Sequence, residues 1–138
     1  MHKDPYENIY CVVRGYKEIR LQPPSDLPWI PHKNLQSAVY KQTPDGVWHC
    51  ELLPNISNVD WVAIDPTSPD TETHPEYCLS RQYKVTLGPG DVLYLPSLWF
   101  HHLTQSQGCI AVNYWYDMEF DVKFNLFNLL QNLKKLSL

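Results

Sequence analysis

No stretch of the 138 residues reaches the roughly 18 consecutive apolar residues that a membrane-crossing helix requires, so no helical span is expected. The start, Met1-His2-Lys3-Asp4-Pro5, lacks the hydrophobic run of a secretion signal. Positive charge is in the minority, with 11 Lys and Arg against 15 Asp and Glu and a net charge of -4, which argues against a grip on nucleic-acid phosphates. The four cysteines, Cys11, Cys50, Cys78 and Cys109, form no Cys-x-x-Cys pair and read as isolated reduced thiols, not a zinc knuckle or disulfide framework. Internal repeats and low-complexity segments are also missing. These absences leave a soluble chain expected in the cytoplasm, with the nucleus as a second compartment, and with neither nucleic acid nor membrane as partner.

What is present suits one folded domain: 43% of residues are hydrophobic and 13% aromatic, enough for a genuine core. Residues 8–13 and 16–22 are rich in Tyr, Val, Ile and Leu, and Arg14-Gly15 between them predicts a β-hairpin. From Pro23 to Pro75 nine prolines recur, each removing a backbone donor, so an irregular stretch is expected. Short strands are predicted there only near residues 38–42 and 47–52, and so long a connection reads as a lid or binding loop. Regular strand signal returns over residues 82–87, then the turn Gly88-Pro89-Gly90-Asp91, residues 92–95 and residues 109–116. Phe120, Phe124, Phe127, Leu130 and Leu133 or Leu136 then recur at three- and four-residue steps, predicting an amphipathic helix over residues 119–138 behind a β domain of residues 1–118.

His2 and Asp4 stand two apart, and on extended chain positions i and i+2 share a face, so an imidazole and a carboxylate can reach one metal. That pair alone is weak, since His-x-Asp is common by chance. The run Gly90-Asp91-Val92-Leu93-Tyr94-Leu95-Pro96-Ser97-Leu98-Trp99-Phe100-His101 is more specific: a glycine turn, a hydrophobic strand, a closing proline, and a histidine five residues later. Its spacing resembles a signature of cupin-like barrels, and with His2 and Asp4 it supplies the two-His-one-carboxylate set that leaves coordination positions open for iron(II). His102 would face away from His101, and His32, His49 and His74 read as loop residues.

Lys17, Ile19 and Leu21 share one face of their strand. A lysine on an apolar face is costly unless it meets an anion, such as a 2-oxoglutarate carboxylate, or snorkels at a rim. Asn113 and Trp115 share a face of the last strand, an amide for a carboxylate and an indole for a pocket wall, with core packing the alternative for Trp115. Asn8 is a further inward-pointing candidate.

On these motifs the chain resembles the jumonji-C hydroxylases, and within them a lysyl hydroxylase branch. The likeness runs through His2-Lys3-Asp4-Pro5-Tyr6-Glu7-Asn8, Pro23-Pro24-Ser25-Asp26, residues 61–75, residues 93–102 and residues 105–119. It implies a mainly β, double-stranded β-helix (cupin-like jelly roll) with a C-terminal α-helix. It implies that His2, Asp4 and His101 are catalytic iron(II) ligands, that Lys17 binds the distal carboxylate of the co-substrate 2-oxoglutarate, and that Asn8 and Asn113 line the pocket. It further implies oxidation of 2-oxoglutarate to succinate and carbon dioxide coupled to hydroxylation of a protein, lysine on developmentally regulated GTP-binding proteins in that branch. Peptidase activity on methylated histone tails is attributed to the same branch, and a homodimer through the C-terminal helix is a further expectation. Family members carry a long segment ahead of His-x-Asp, including a barrel strand, so the chain is expected to correspond to a portion of a longer protein, incomplete at its N-terminal side. Two other readings use the same residues: an inactive β-helix fragment serving only in association, and a zinc-bearing cupin-type sensor or isomerase without 2-oxoglutarate.

Overall fold

A computed structural model describes residues 1–136. The chain divides into two compact units, one formed by Met1–Pro31 with residues from Ile64 onward, the other by His32–Ala63.

The first unit is built on two three-stranded antiparallel sheets. Strand β1 (Tyr6–Arg14) lies between β8 (Val92–Leu95) and β10 (Ile110–Asp117), and β2 (Lys17–Gln22) lies between β7 (Tyr83–Leu87) and β9 (Phe100–Gln105). From β7 onward each successive strand joins the other sheet, as in a jelly roll whose barrel is not closed. Alternation then defines one inward face on each sheet. Val12, Ile19 and Leu87 form the buried centre, with Tyr10, Leu21, Val85, Leu93, Leu103 and Ala111 packed around them from both sheets.

The hairpin expected across Arg14-Gly15 is not formed. β1 and β2 belong to different sheets, and each already has two partners. The physical reason is burial: stacked as central strands of two layers, they close Val12 and Ile19 into one core, which a two-stranded ribbon could not do. Gly15 makes the corner between the sheets. Its φ is +76°, and a Cβ there would stand 2.9 Å from Cys109 Cα and 2.9 Å from Ser106 Oγ. Ser106 also receives the Tyr16 amide on its hydroxyl and donates its own amide to the Tyr16 carbonyl.

The proline-rich region holds more regular structure than the sequence suggests. Within the second unit β3 (His32–Leu35) pairs with β6 (Val59–Val62), and β4 (Ala38–Gln42) pairs with β5 (Trp48–Leu52). His32 and His49 therefore sit on short strands, while His74 precedes the 3-10 helix Pro75–Leu79. Pro44 and Pro54 fall outside the strands, so the ladders form without their missing donors.

Helix α1 (Val122–Leu136) starts at Asp121, whose carboxylate accepts the backbone amides of Lys123 and Phe124, and it carries Lys134 and Lys135 in its last turn. Phe127 is buried, Phe124 and Leu130 are half-buried, and the helix packs on the 3-10 helix Pro24–Trp29, where Lys134 Nζ donates to the carbonyls of Leu27 and Ile30. Residues 137 and 138 of the predicted helix lie outside the described residues. The same 3-10 helix carries Asp26, buried at 4% exposure, whose carboxylate accepts the Arg81 amide at 2.6 Å and a guanidinium N–H at 2.8 Å. Burial by itself raises the Asp26 pKa, but the Arg81 bonds and charge outweigh it and hold the carboxyl below its usual range.

Two outcomes follow. Gly15→Ala is expected to destabilise the chain by about 2–4 kcal/mol, measured by urea unfolding, because it combines a positive φ with overpacking. Because the folded pKa of Asp26 is depressed, its contribution is present above the ordinary carboxylate value and is lost as pH falls through the folded value. Urea midpoints from pH 7 down to about pH 3 should therefore fall less steeply in Asp26→Asn than in the unsubstituted chain.

Candidate metal centre

His2 is fixed by backbone before its side chain does anything. Its amide donates to the His101 carbonyl at 3.1 Å and its carbonyl accepts the His101 amide at 2.7 Å, an isolated antiparallel bridge beside β9. Directly paired residues present their side chains on the same face, so the two rings lie 4.3 Å apart between centroids. Asp4, two residues on, returns to that face, and its Oδ2 stands 3.4 Å from His2 Nε2 and 3.7 Å from His101 Nε2. One donor atom from each of the three residues lies within 4.8 Å of the others, a separation that one metal ion spans.

The state of His101 suits a ligand. Its Nδ1 lies 3.0 Å from the Trp99 carbonyl, and since a carbonyl only accepts, Nδ1 carries the proton and Nε2 offers its lone pair toward Asp4. Burial pushes the His101 pKa below the ordinary histidine value, against the opposing pull of the Trp99 carbonyl and Asp4 and with help from nearby His2. The ring is thus neutral at neutral pH, as metal binding requires. His102 alternates to the other face of β9, paired with Arg20, and burial lowers its pKa too. Among the described residues, no other group of three metal-ligating side chains converges.

The triad opens into a cavity of about 280 Å³ lined by His2, Asp4, Asn8, Tyr10, Lys17, Leu95, His101, Leu103, Asn113 and Trp115, so all seven candidate residues meet there. Register explains this. Asn8 pairs with Leu95 and Trp115, Tyr10 with Asn113, and Leu21 with His101, so one inward face of each sheet supplies the lining. Lys17 Nζ lies 5.4 Å from the Tyr10 ring centroid. Asn8 is 7% exposed, and its Oδ1 has no hydrogen-bond partner. A buried amide oxygen left this way needs a donor, and the cavity beside it is where a bound molecule would bring one. Trp115 differs from its core-packing alternative: it stacks on Tyr6 with centroids 6.2 Å apart and is 62% exposed, because β10 is an edge strand. Sequence reasoning missed Tyr10, Leu95 and Leu103. Tyr10 was accessible to it, standing two residues from Asn8 on the same strand face. A second hollow, of about 530 Å³, is lined by Glu7, Tyr94, Ser97, Asp117 and Lys123 among others and contains none of the triad.

The donor set of two imidazoles and a carboxylate on one side of an open cavity fits a non-haem iron(II) ion, and the Lys17 ammonium on the same cavity fits a carboxylate of a small anion next to it.

The human bifunctional peptidase and (3S)-lysyl hydroxylase JMJD7 is 47% identical over 137 residues, covering 99% of this chain and 43% of the relative. Lysine-specific demethylase JMJ32 of Arabidopsis thaliana is 40% identical over 96% of the chain and 42% of the relative, and JmjC domain-containing protein E of Dictyostelium discoideum is 35% identical over 98% and 43%. The chain thus spans less than half the length of these relatives. The family model of the cupin-like domain matches residues 1–122, a span that holds both sheets and every residue of the cavity, and the chain belongs to the cupin-like domain family.

Proposed function

We propose that this chain carries the iron(II) and 2-oxoglutarate site of a protein hydroxylase. The observation behind the reading is the convergence of His2, Asp4 and His101 with Lys17, Asn8 and Asn113 on one cavity. The kinship supports it: the human relative's name describes a lysyl hydroxylase and the Arabidopsis relative's a lysine-specific demethylase. The favoured substrate is a lysine of a GTP-binding protein, with peptidase action a secondary possibility carried by the human relative's name alone.

In this reading His2, Asp4 and His101 hold the metal from one side and leave the side toward the cavity open. Lys17 faces the distal carboxylate of 2-oxoglutarate as a charge-assisted partner, and Asn8 and Asn113 contribute amides to its polar groups. Tyr10, Leu95 and Leu103 exclude water around the co-substrate, which strengthens those contacts. Iron(II) with bound 2-oxoglutarate supplies oxidative decarboxylation by dioxygen and transfer of one oxygen atom to a C–H bond. Trp115 and Tyr6, exposed beside the cavity, form an aromatic rim along which the aliphatic stem of a lysine can lie.

A second reading, association through α1, draws on one observation. Phe124, Phe127 and Leu130 are the more buried apolar positions of the helix, but Val122, Leu126 and Leu129, spaced four and three apart, are exposed. A second copy of the chain, presenting the same stripe, is the occupant with matching spacing. Light scattering should then give a dimer mass that Leu126→Lys with Leu129→Lys reduces to a monomer; a monomer in both would remove this reading.

Adding iron(II) and 2-oxoglutarate anaerobically should produce the weak visible absorption of the chelate. His101→Ala should abolish it and His102→Ala should retain it. Lys17→Ala should weaken 2-oxoglutarate binding by tenfold or more while leaving metal affinity within about twofold, since loss of one charge-assisted bond is worth roughly 1.5–3 kcal/mol. An unchanged 2-oxoglutarate affinity in Lys17→Ala would favour a zinc-bearing sensor or isomerase instead.

A further inference from the structure

The Glu7 side chain lies on the opposite face of β1 from Asn8 and contributes nothing to the triad's cavity. The hydrogen bonds to its carboxylate nevertheless come from one short stretch, residues 94–97. Oε2 accepts the Tyr94 hydroxyl at 2.6 Å and the Ser97 amide at 3.1 Å, and Oε1 accepts the Ser97 hydroxyl at 2.9 Å. These donors belong to the end of β8 and to the turn of residues 96–99 that leads into β9.

That turn is under strain. Leu98 has φ +65°, the only positive φ of a non-glycine residue among the described residues, and it is buried at 7% exposure. A leucine adopts this conformation only where its surroundings impose it. The same turn touches two of the three ligand residues. The Leu98 amide donates to the Asp4 carbonyl at 2.9 Å, and the Trp99 carbonyl accepts the His101 Nδ1 proton.

We propose that Glu7 is a positioning residue for the metal centre. Resting on the metal-centre reading, the inference is that three hydrogen bonds from Tyr94 and Ser97 to Glu7 keep the turn in its strained form. The turn in turn fixes the backbone of Asp4 and the ring of His101. Glu7 therefore acts through Ser97, Leu98 and Trp99, without touching metal or substrate. Its distance from the cavity distinguishes it from the lining residues, and its ionised state is maintained by the Tyr94 and Ser97 bonds against the upward push of burial.

The test uses the full chain with cobalt(II) as probe. Cobalt affinity is read from its visible absorption, and the His101 tautomer in the metal-free chain is read from its ring nitrogen NMR shifts. Glu7→Gln should weaken cobalt about tenfold, the low end of the loss typical when a ligand's supporting partner is removed. It should also convert a single Nδ1–H signal into a mixture. Glu18→Gln, which removes an ion-paired glutamate on β2 remote from the turn, should alter neither. Unchanged affinity and an unchanged His101 signal in Glu7→Gln would overturn the proposal, as would equal losses in Glu18→Gln. If Glu7→Gln does not fold, Ser97→Ala and Tyr94→Phe, each deleting part of the network, should give a smaller loss of about threefold with the same ring heterogeneity. If the unsubstituted chain takes up no cobalt, the metal-centre reading falls, and the His101 signal alone still decides whether Glu7 governs the turn.

Discussion

Two backbone hydrogen bonds between His2 and His101 support everything said of the site. Residues 1–5 have no strand of their own, and that bridge is what aligns the His-x-Asp step with β9. With it, strand geometry does the rest: the bridge puts both imidazoles on the inward face, and the two-residue step brings the carboxylate between them. The positions are over-determined on the β9 side, where Phe100 and His101 are buried and β2 pairs along the whole strand. They are lightly held on the other side, where His2 and Asp4 are only half-buried. The turn of residues 96–99, fastened by Glu7, is the structure's answer to that imbalance, because it grips Asp4 from the β9 side.

The two sheets divide the labour of the site. β2 and β9 bring Lys17, Leu103 and His101, and β1, β8 and β10 bring Asn8, Tyr10, Leu95, Asn113 and Trp115. A site assembled across a sandwich in this way is apolar deep inside, around Val12 and Ile19, and becomes polar toward the end where the triad sits. Lys17 is the costly residue of the lining: a cation is tolerated on an inward face where an anionic ligand would repay its burial.

Much of this was legible in the residues. The triad rests on local rules, the i, i+2 step from His2 to Asp4 and the proline-to-histidine spacing ahead of His101, and strand alternation alone assigned Lys17 and Asn113 to a face. What was not legible is whatever depends on which strand neighbours which. Arg14-Gly15 has the composition of a hairpin turn, but Gly15 is a corner between layers, a choice made by Val12 and Ile19 burying against each other. Trp115 has the character of a core residue and is exposed because β10 lies at a sheet edge. The strands at His32–Leu35 and Val59–Val62 were hidden because a pairing 20 or more residues apart leaves no local trace amid prolines. Leu98 was hidden for the opposite reason, since its backbone is imposed by tertiary contacts against its own preference.

The central claim is that two imidazoles and one carboxylate of this chain surround a single iron(II) ion. X-ray absorption at the iron edge of the anaerobically loaded chain tests it most directly. The account predicts a first shell of nitrogen and oxygen only, with the multiple-scattering signature of two imidazoles that drops to one in His2→Ala. Sulfur in the first shell, or an imidazole count indifferent to His2, would contradict it.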